Sequence, residues 1–221
     1  MAKYTLQNIH DLAYRWGDCQ AIEYSSTRPD VFPSHSGSYL LDLYERCRTS
    51  GRAKLGILEP LFCGMKDLSA EAIVAFLHVH KIVVLGEWRP TATHPRFHPL
   101  GFCFLTALCE GKTTRAGFGA YAFFSEAWRT DQQIVLTWLG IAHLFFEGKL
   151  CALHGTRYAD NHLTARWMAK FGFKDAGTLE NHMIRYSTGE LTAATISTLV
   201  RADFEARLSA ALELGEKPEE V

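Results

Sequence analysis

His154 and Asn161 stand seven residues apart in the stretch of the chain whose residue types could do chemistry. An imidazole titrates near neutrality, so His154 could accept a proton from a reacting group. The other interpretation is a core histidine that bonds to the backbone. Asn161 follows a polar turn, Tyr158–Asp160, and Asn is a preferred residue at the N-cap of a helix. The residues therefore offer either a proton acceptor or a core histidine, and they predict a helix start within the same short segment.

The elements around these two residues are predicted by the spacing of apolar side chains. A short apolar run, Leu150–Leu153, is long enough for a buried strand. The helix after Asn161 is predicted by three apolar residues at helical spacing, Leu163, Trp167 and Phe171. Gly172 follows where a C-terminal cap is expected. We therefore predict a strand, a turn, a short helix, a glycine and a second strand.

This unit resembles the end of the acyl-CoA-binding core of the GNAT acetyltransferases. In that superfamily an Asn opens a short helix and a Gly-Phe pair closes it eleven residues later, as Asn161 and Gly172-Phe173 do here. Thr164 stands where the ribosomal-protein acetyltransferase subgroup usually has Ser, and Lys170 falls at its usual Lys. The run ARWMAKFGF also resembles divergent members encoded by bacteriophages. The match is good over residues 154–173 and reaches more loosely back to residue 81.

The resemblance implies a site for acetyl-CoA between a splayed pair of strands. Asn161 belongs to this implied site. The pantetheine arm of the cofactor would bond to the free backbone groups of four consecutive residues, Tyr121, Ala122, Phe123 and Phe124.

The turn into the next helix would hold the pyrophosphate, because free N–H groups and the positive end of the helix dipole meet there. In related proteins this turn usually has the sequence Arg/Gln-x-x-Gly-x-Gly/Ala. This chain has Arg129, Thr130, Asp131, Gln132, Gln133 and Ile134. Only the arginine is kept. Gln132 and Ile134 would crowd the turn, and Asp131 would place a negative charge near an anionic ligand, although it could also be the helix N-cap.

The sequence alone does not decide which residues are the general acid and the general base of an acetyl transfer. Many relatives carry a Tyr seven residues after the Asn, which protonates the departing thiolate, whereas this chain has Met168. Tyr158 could substitute for it, or could be structural. For the base, the resemblance favours His154, since related proteins often place a carboxylate on this strand; Glu126 and Glu87 are weaker candidates.

Two functions follow from the resemblance. The first is an acyl-CoA-dependent N-acetyltransferase that moves the acetyl group of acetyl-CoA to a primary amine, of a small molecule or a protein, by direct attack. The alternative is a catalytically inactive GNAT-fold protein, phage-derived, that serves as a binding or structural module.

Composition excludes other classes. The formal net charge of the 221 residues is −1 and neither half is basic, so we expect no nucleic-acid partner. No apolar run approaches the roughly 18 residues that cross a bilayer, and the first residues lack a signal-peptide core. We expect a cytoplasmic protein with no membrane partner. Four histidines have spacings that match no zinc template: His78, His80, His94 and His98.

Apolar periodicity predicts the remaining elements. Helices are predicted from His10 through Trp16, at Tyr39–Arg48, at Asp67–His80 with Ser69 as cap, and at Asp131–Glu147. Strands are predicted at Tyr4–Ile9, 81–88, Gly101–Cys109 and Thr113–Phe124, and loops at Ser25–Ser38 and Pro90–Pro99. The predicted fold class is α/β (α+β): a GNAT-like mixed, mainly antiparallel central sheet with helices on both faces, plus a C-terminal helix.

The chain divides, on this prediction, into a GNAT-like domain at residues 1–190 and a helical extension with an acidic tail at 191–221. The extension is predicted because apolar residues recur every four positions in Thr192–Leu214: Ile196, Val200, Phe204 and Leu208. Such a helix would pack on the domain or pair with a second subunit in a homodimer.

Overall fold

The computed structural model describes residues 15–51, 56–62, 65–92, 95–112 and 114–214, with side chains as far as residue 210. The strand at Tyr4–Ile9 and the helix start at His10 lie outside these residues. Among the described residues, no helix combines the length and the apolar character that crossing a membrane requires.

Eight strands form one sheet in the order β1-β2-β3-β4-β5-β6-β8-β7. They are β1 (Arg15–Trp16), β2 (Cys19–Glu23), β3 (Val83–Arg89), β4 (Arg96–Glu110), β5 (Arg115–Phe123), β6 (Ala152–Tyr158), β7 (Lys174–Arg185) and β8 (Glu190–Val200). Every neighbouring pair is antiparallel except β5 and β6, which are parallel. The parallel pair is the crossover that the strand–helix–strand pattern predicts.

Six α-helices accompany the sheet in the described part of the chain. They are α1 (Tyr39–Thr49), α2 (Leu58–Leu61), α3 (Ala70–Val79), α4 (Asp131–Glu147), α5 (His162–Lys170) and α6 (Arg201–Leu214). Ser38 caps α1, and Ser69 caps α3 as predicted, by accepting the N–H of Ala72 at 3.3 Å. A short 3-10 turn at Ser125–Ala127 leads from β5 toward α4.

Two hydrophobic cores lie on opposite faces of the sheet. One packs α4, with Ile141 and Phe145, against Leu85 on β3 and Phe204 on α6. The other packs α1 and α3 against β4, where Phe102 is fully buried. Helices therefore cover both faces, and the predicted fold class is confirmed.

Helix α4 is the central element of the first core. It covers the predicted range, Asp131–Glu147, and the four residues that predicted its buried face are all buried: Ile134, Trp138, Ile141 and Phe145. Helix α4 connects β5 to β6, so it is the crossover between the two parallel strands.

Strands β5 and β6 pair over only three residues each. Ala116–Phe118 lie opposite Ala152–His154, and beyond these residues the two strands part. Residues 118–121 of β5 are only half-buried although β5 is an interior strand. A gap therefore opens in the middle of the sheet, toward the C-terminal ends of both strands.

Two predictions about the first four strands of the sheet are wrong. Trp16 is in strand β1 rather than in a helix, because Gly17-Asp18 forms a two-residue hairpin loop that pairs Trp16 with Cys19. The loop predicted at Pro90–Pro99 ends earlier, since β4 begins at Arg96. Pro99 is tolerated in this strand because the pairing with β3 shifts register beside it, and a bulge does not need its missing N–H.

The helix predicted at Thr192–Leu214 is wrong in its first half. Residues 190–200 form β8, which lies between β6 and β7 in the sheet, so the helical extension begins at Arg201 rather than at residue 191. A four-residue repeat is compatible with a strand as well as a helix, because four is a multiple of the strand period. Val200, which the helix would bury, is 46% exposed, while Phe204 and Leu208 are buried in α6 as predicted.

Candidate functional site

The gap between β5 and β6 exposes backbone groups of β5. The N–H of Phe124 donates to the carbonyl oxygen of Leu100 on β4. Because backbone groups alternate in direction along a strand, those of Tyr121 and Phe123 point away from β4 and toward the gap. The cofactor contacts predicted for the backbone of Tyr121 therefore face the gap, whereas the carbonyl oxygen of Phe123 accepts the indole N–H of Trp128 at 2.9 Å.

Ala122 and Phe124 are placed differently from these two residues. Their backbone groups belong to the ladder with β4, and their side chains pack in the core of α1 and α3. Phe124 also lies under the guanidinium of Arg46, 3.9 Å from the ring centroid. Of the four predicted backbone contacts, these two are directed away from the gap because the strand alternates.

Tyr121 also contributes a buried side chain. Its ring packs against the core of α4, and its hydroxyl has no hydrogen-bond partner among the described residues. Burial, together with the neighbouring Cys103 thiol, raises the pKa of Tyr121 well above its ordinary value. The phenol therefore stays protonated throughout the physiological range.

Two helices begin at the open end of the gap. Helix α4 starts shortly after β5 ends, and α5 starts shortly after β6 ends. Because the two strands are parallel, both helix N-termini lie at the same edge of the sheet. The positive ends of two helix dipoles therefore flank the opening, which favours an anionic group there.

The turn before α4 is closed by its own side chains. Thr130, rather than Asp131, is the N-cap: its hydroxyl accepts the N–H of Gln133 at 3.3 Å. Gln133 folds back, and its Oε1 accepts the N–H of Arg129 at 3.0 Å. This arrangement occupies two backbone N–H groups of the turn, and Asp131 is left as an acidic residue in the first helical turn.

The other residues of this turn point in separate directions. Ile134 is buried in the core of α4, so it does not crowd the turn, while Gln132 is exposed. Arg129 is exposed, has a positive φ of 62°, and forms no ion pair with a described residue. Its guanidinium is therefore available to an anion at the helix N-terminus.

Asn161 and Gly172 have the local roles that the sequence predicts. Asn161 caps α5: its Oδ1 accepts the N–H of Thr164 at 3.0 Å. Gly172 ends the helix with φ +92°, the left-handed conformation expected there. One part of the helix prediction is wrong, since Leu163 is 76% exposed; only Phe171 of the three predicted apolar residues is buried.

Met168 lies over the separated part of β6. A Cβ built on Gly155 would lie 2.5 Å from the terminal methyl carbon of Met168, so the thioether rests directly on this glycine. Gly155 is the first residue of β6 beyond the paired segment. The side chain that replaces the proton-donating Tyr of relatives therefore lies at the gap but supplies no proton.

His154 lies where β5 and β6 begin to part. It is the last residue of β6 that pairs with β5, and its half-buried ring leans on Phe118, with ring centroids 5.0 Å apart. Its Nδ1 is 2.8 Å from the hydroxyl oxygen of Thr198 on β8. Its Nε2 has no hydrogen-bond partner among the described residues.

Tyr158 is at the other end of β6, away from His154. Its hydroxyl donates to the carbonyl oxygen of Ile184 at 2.8 Å, and the guanidinium of Arg185 lies 4.8 Å from its ring centroid. It packs in a small cluster with Met183 and Ala194. This geometry favours the structural interpretation of Tyr158 over a proton donor.

The two weaker base candidates are both engaged by arginines. Glu126 forms an ion pair with Arg46, and Glu87 accepts from Arg89. Neither carboxylate lies on β5 or β6. Of the three base candidates, only His154 lies on a strand that borders the gap.

Solved structures share this architecture. No protein-family model matches the chain, and no curated protein matches it either. RimL, a ribosomal α-N-protein acetyltransferase solved in complex with coenzyme A, is similar with a TM-score of 0.60 at 9% identity, over 86% of this chain and 97% of that one. A SpeG spermidine N-acetyltransferase variant from Vibrio cholerae gives 0.56 at 11% identity, over 86% and 97%. A GNAT-family acetyltransferase from Bacillus anthracis gives 0.55 at 9% identity, over 85% and 97%.

The chain has the GNAT fold. The resemblance that rests on the Asn161-to-Gly172 unit is thereby confirmed at the level of the fold. In this GNAT fold the gap between β5 and β6 lies at the strands where the resemblance implies the cofactor.

Two residues of this GNAT fold were missed by sequence reasoning. Trp128, 41% exposed, donates its indole N–H to the carbonyl oxygen of Phe123 at 2.9 Å, on the side of β5 that faces the gap. Arg157, only 6% exposed, donates to Asp175 at 2.7 Å and to the carbonyl oxygen of Ala159 at 3.3 Å. Trp128 thus uses the carbonyl oxygen of Phe123 as an acceptor, and Arg157 stabilises the turn between β6 and α5. No local pattern reveals either role, because the partners are set by tertiary structure.

Proposed function

We propose that this protein is an acyl-CoA-dependent N-acetyltransferase that transfers the acetyl group of acetyl-CoA to a primary amine. The observation that carries the proposal is the gap between β5 and β6, with the N-termini of α4 and α5 at its open end. A slot lined by backbone groups that β4 does not bind, and flanked by two helix dipoles, suits a ligand that joins an amide-containing arm to a diphosphate.

The residues that would hold acetyl-CoA follow from this placement. The backbone of Tyr121 and Phe123 would bond the pantetheine arm, and the N-terminus of α4, with Arg129, would face the pyrophosphate. Asn161 would keep the start of α5 beside the cofactor. When bound, acetyl-CoA supplies a thioester carbonyl whose polarisation by backbone N–H groups eases attack.

His154 is the proposed base. A primary amine of the lysine type has a pKa of about 10.4, so it must lose a proton to attack. The amine nitrogen bonds to the acetyl carbon, its proton passes to Nε2 of His154, and the carbon–sulfur bond breaks to release the thiolate. Because Met168 donates no proton and Tyr158 already donates to Ile184, we propose that the thiolate is protonated by solvent.

The acceptor is proposed at the level of a primary amine, of a small molecule or of a protein. Similar solved structures include a spermidine N-acetyltransferase and a ribosomal-protein acetyltransferase, which differ in this respect. We further propose a cytoplasmic enzyme that needs neither nucleic acid nor a membrane and that could pair with a second copy.

A second candidate is an inactive GNAT-fold binding module, of phage origin. It is favoured by the hydrogen bonds that side chains already make to backbone groups of the turn before α4 and of β5. Gln133 and Thr130 occupy two backbone N–H groups of the turn, and the Trp128 indole occupies the carbonyl oxygen of Phe123. Each bond would have to be exchanged, or bypassed, for a cofactor to use these groups.

An assay of thiol release separates the two candidates. Acetyl-CoA would be incubated with the protein and either spermidine or a peptide with a free α-amine, and free CoA measured. The proposal predicts amine-dependent release, reduced by roughly 100-fold or more in His154→Gln through loss of the base. His182→Gln, an exposed histidine on β7, is the matched control and should be fully active. If CoA is released no faster than by spontaneous hydrolysis with every amine, the acetyltransferase proposal is wrong and the inactive binding module is favoured.

A further inference from the structure

The contact between His154 and Thr198 is built into the register of the sheet. The two residues lie directly opposite each other on β6 and β8, so their side chains share one face. The ring nitrogen Nδ1 and the hydroxyl oxygen are 2.8 Å apart, which is a hydrogen bond of ordinary length. Both residues are half-buried, so the bond is partly shielded from water.

The imidazole is also held from its other side. Phe118 on β5 lies opposite His154 in the parallel ladder, and the two rings are tilted by 40° at 5.0 Å. The ring is thus held between a hydroxyl on β8 and an aromatic ring on β5. Only Nε2 remains without a partner among the described residues.

A neutral imidazole carries its proton on one nitrogen and a lone pair on the other. If Thr198 donated to Nδ1, the lone pair would be used up and Nε2 would carry the proton, so the ring could accept nothing at the gap. If Nδ1 carries the proton and donates to Thr198, the lone pair is on Nε2. Only this second arrangement keeps the same hydrogen bond when Nε2 becomes protonated.

We infer that Thr198 is a positioning residue that holds His154 with its proton on Nδ1 and its lone pair on Nε2. This inference rests on the proposed function, because it specifies how His154 is prepared to take the proton of an attacking amine. Thr198 does not touch the reacting atoms. It acts by fixing the tautomer and the orientation of the ring.

Nitrogen-15 NMR of the ring nitrogens tests the inference without any substrate. The His154 signals are assigned by their loss in His154→Gln. In the wild type at a pH where the ring is neutral, Nδ1 should resonate as a protonated nitrogen and Nε2 as an unprotonated one. Thr198→Val should abolish this preference, and Thr198→Ser should restore it. A wild-type ring with its proton on Nε2, or a Thr198→Val ring unchanged from the wild type, would overturn the inference.

Kinetics provide the second readout. Thr198→Val should lower kcat about tenfold, the effect of losing one hydrogen bond in the transition state, with the KM for the amine changed by less than about twofold. Thr198→Ser should recover most of kcat. Thr192→Val, on the same strand but paired with Met183, is the matched control and should behave as the wild type. A fall in kcat that Thr198→Ser shares would also contradict the role. If the wild type transfers no acetyl group at all, the proposed function is wrong. The NMR measurement of the His154 tautomer still tests the role of Thr198 in that case.

Discussion

Single residues at the two ends of α5 determine where this short helix starts and stops. Asn161 satisfies a backbone N–H that has no partner within the helix, and Gly172 adopts a conformation that other residues reach only with strain. A helix of nine residues is too short to be stable by itself, so its ends contribute a large share of its stability.

Replacing Asn161 by Ala removes the cap. We expect Asn161→Ala to lower the free energy of unfolding by about 1 kcal/mol, the usual effect of a lost N-cap side chain, and to weaken acetyl-CoA binding as well. Asn161→Ser keeps a capping oxygen and should retain most of the stability. Urea unfolding and acetyl-CoA titration of both variants give the answer. Unchanged stability together with unchanged binding would remove Asn161 from the site.

Replacing Gly172 by Ala tests the left-handed conformation. The added Cβ would be strained at φ +92° and would lie 2.8 Å from Nε of Arg207 on α6. We expect a loss of about 1–2 kcal/mol in the free energy of unfolding. Gly177→Ala on β7 is the matched control, because nothing lies within 4 Å of a Cβ there. Equal free energies of unfolding for the two variants would show that the left-handed conformation of Gly172 does not make a Cβ destabilising there.

Sequence reasoning succeeded at Asn161 and Gly172 because both roles follow from local backbone geometry. It was wrong about Asp131 as a cap because a neighbouring Thr130 hydroxyl was better placed. It missed Trp128 and Arg157 because their partners, Phe123 and Asp175, are chosen by the tertiary arrangement. The base candidate His154 lies where β5 and β6 separate, and its bond to Thr198 could not be predicted because it depends on the register of β6 and β8.

At the scale of elements, the loop at Ser25–Ser38 shows how a helix side chain holds an irregular segment. Asp42 on α1 accepts the N–H of His35 at 2.6 Å and that of Ser36 at 3.2 Å. The loop in turn buries Val31 and Phe32 in the core of α1 and α3. The predicted loop is therefore an ordered covering of this core.

Acid unfolding tests this anchor. Partial burial by itself would raise the pKa of Asp42, but hydrogen bonds from Ser36, His35 and Ser34 outweigh it and lower the pKa below its ordinary value. A carboxyl with a lowered pKa stabilises the folded state above its unfolded pKa of about 3.9, and this contribution disappears as the pH falls through the lower folded value. The difference in unfolding free energy between wild type and Asp42→Asn should be constant above about pH 5 and shrink below pH 4. A difference independent of pH would contradict the anchor.

The Trp128 indole N–H binds the carbonyl oxygen of Phe123 at the end of β5. If the carbonyl oxygen of Phe123 serves the pantetheine arm, the indole N–H competes for it. We expect Trp128→Phe to bind acetyl-CoA about fivefold more tightly, since one hydrogen bond of about 1 kcal/mol no longer has to be broken.

A matched control exists on β3. Trp88 donates its indole N–H to Gln20 at 2.6 Å, and Trp88→Phe removes a similar bond away from β5 and β6. Its acetyl-CoA affinity should equal that of the wild type. Weaker or unchanged binding in Trp128→Phe, measured by calorimetry beside this control, would mean that the Phe123 carbonyl is not used.

The C-terminal elements show why periodicity alone was insufficient at this scale. Ile196 and Val200 fit a helical repeat, yet β8 pairs on both sides, with β6 and with β7, and these long-range hydrogen bonds override the local pattern. Helix α6 was predicted correctly from Phe204 onward, because Phe204 packs against Trp138 and Phe145 on α4.

At the scale of the whole molecule, one sheet with a helical layer on each face is divided by a single parallel pair. The sequence predicted this architecture well, since the meander, the long helix α4 and the crossover all have strong periodic signals. It did not predict that the β5–β6 ladder is limited to three residues on each strand, because the point where two strands separate depends on packing. That separation is the feature from which the proposed function follows.

The proposed activity requires acetyl-CoA to bind in the gap, with its diphosphate at the N-terminus of α4. Arg129 is an exposed cation at this turn, and Asp131 is an opposing charge that can be removed without loss of the cap, since Thr130 supplies it. Arg28, an exposed arginine in the Ser25–Ser38 loop, is the matched control for Arg129.

Calorimetric titration of acetyl-CoA tests the account most directly. We predict measurable binding to the wild type and to Arg28→Ala. Arg129→Ala should bind roughly tenfold more weakly through loss of a charge-assisted phosphate contact, and Asp131→Asn should bind more tightly through loss of repulsion. No heat and no displacement of a labelled CoA from the wild type at millimolar acetyl-CoA would contradict the central claim.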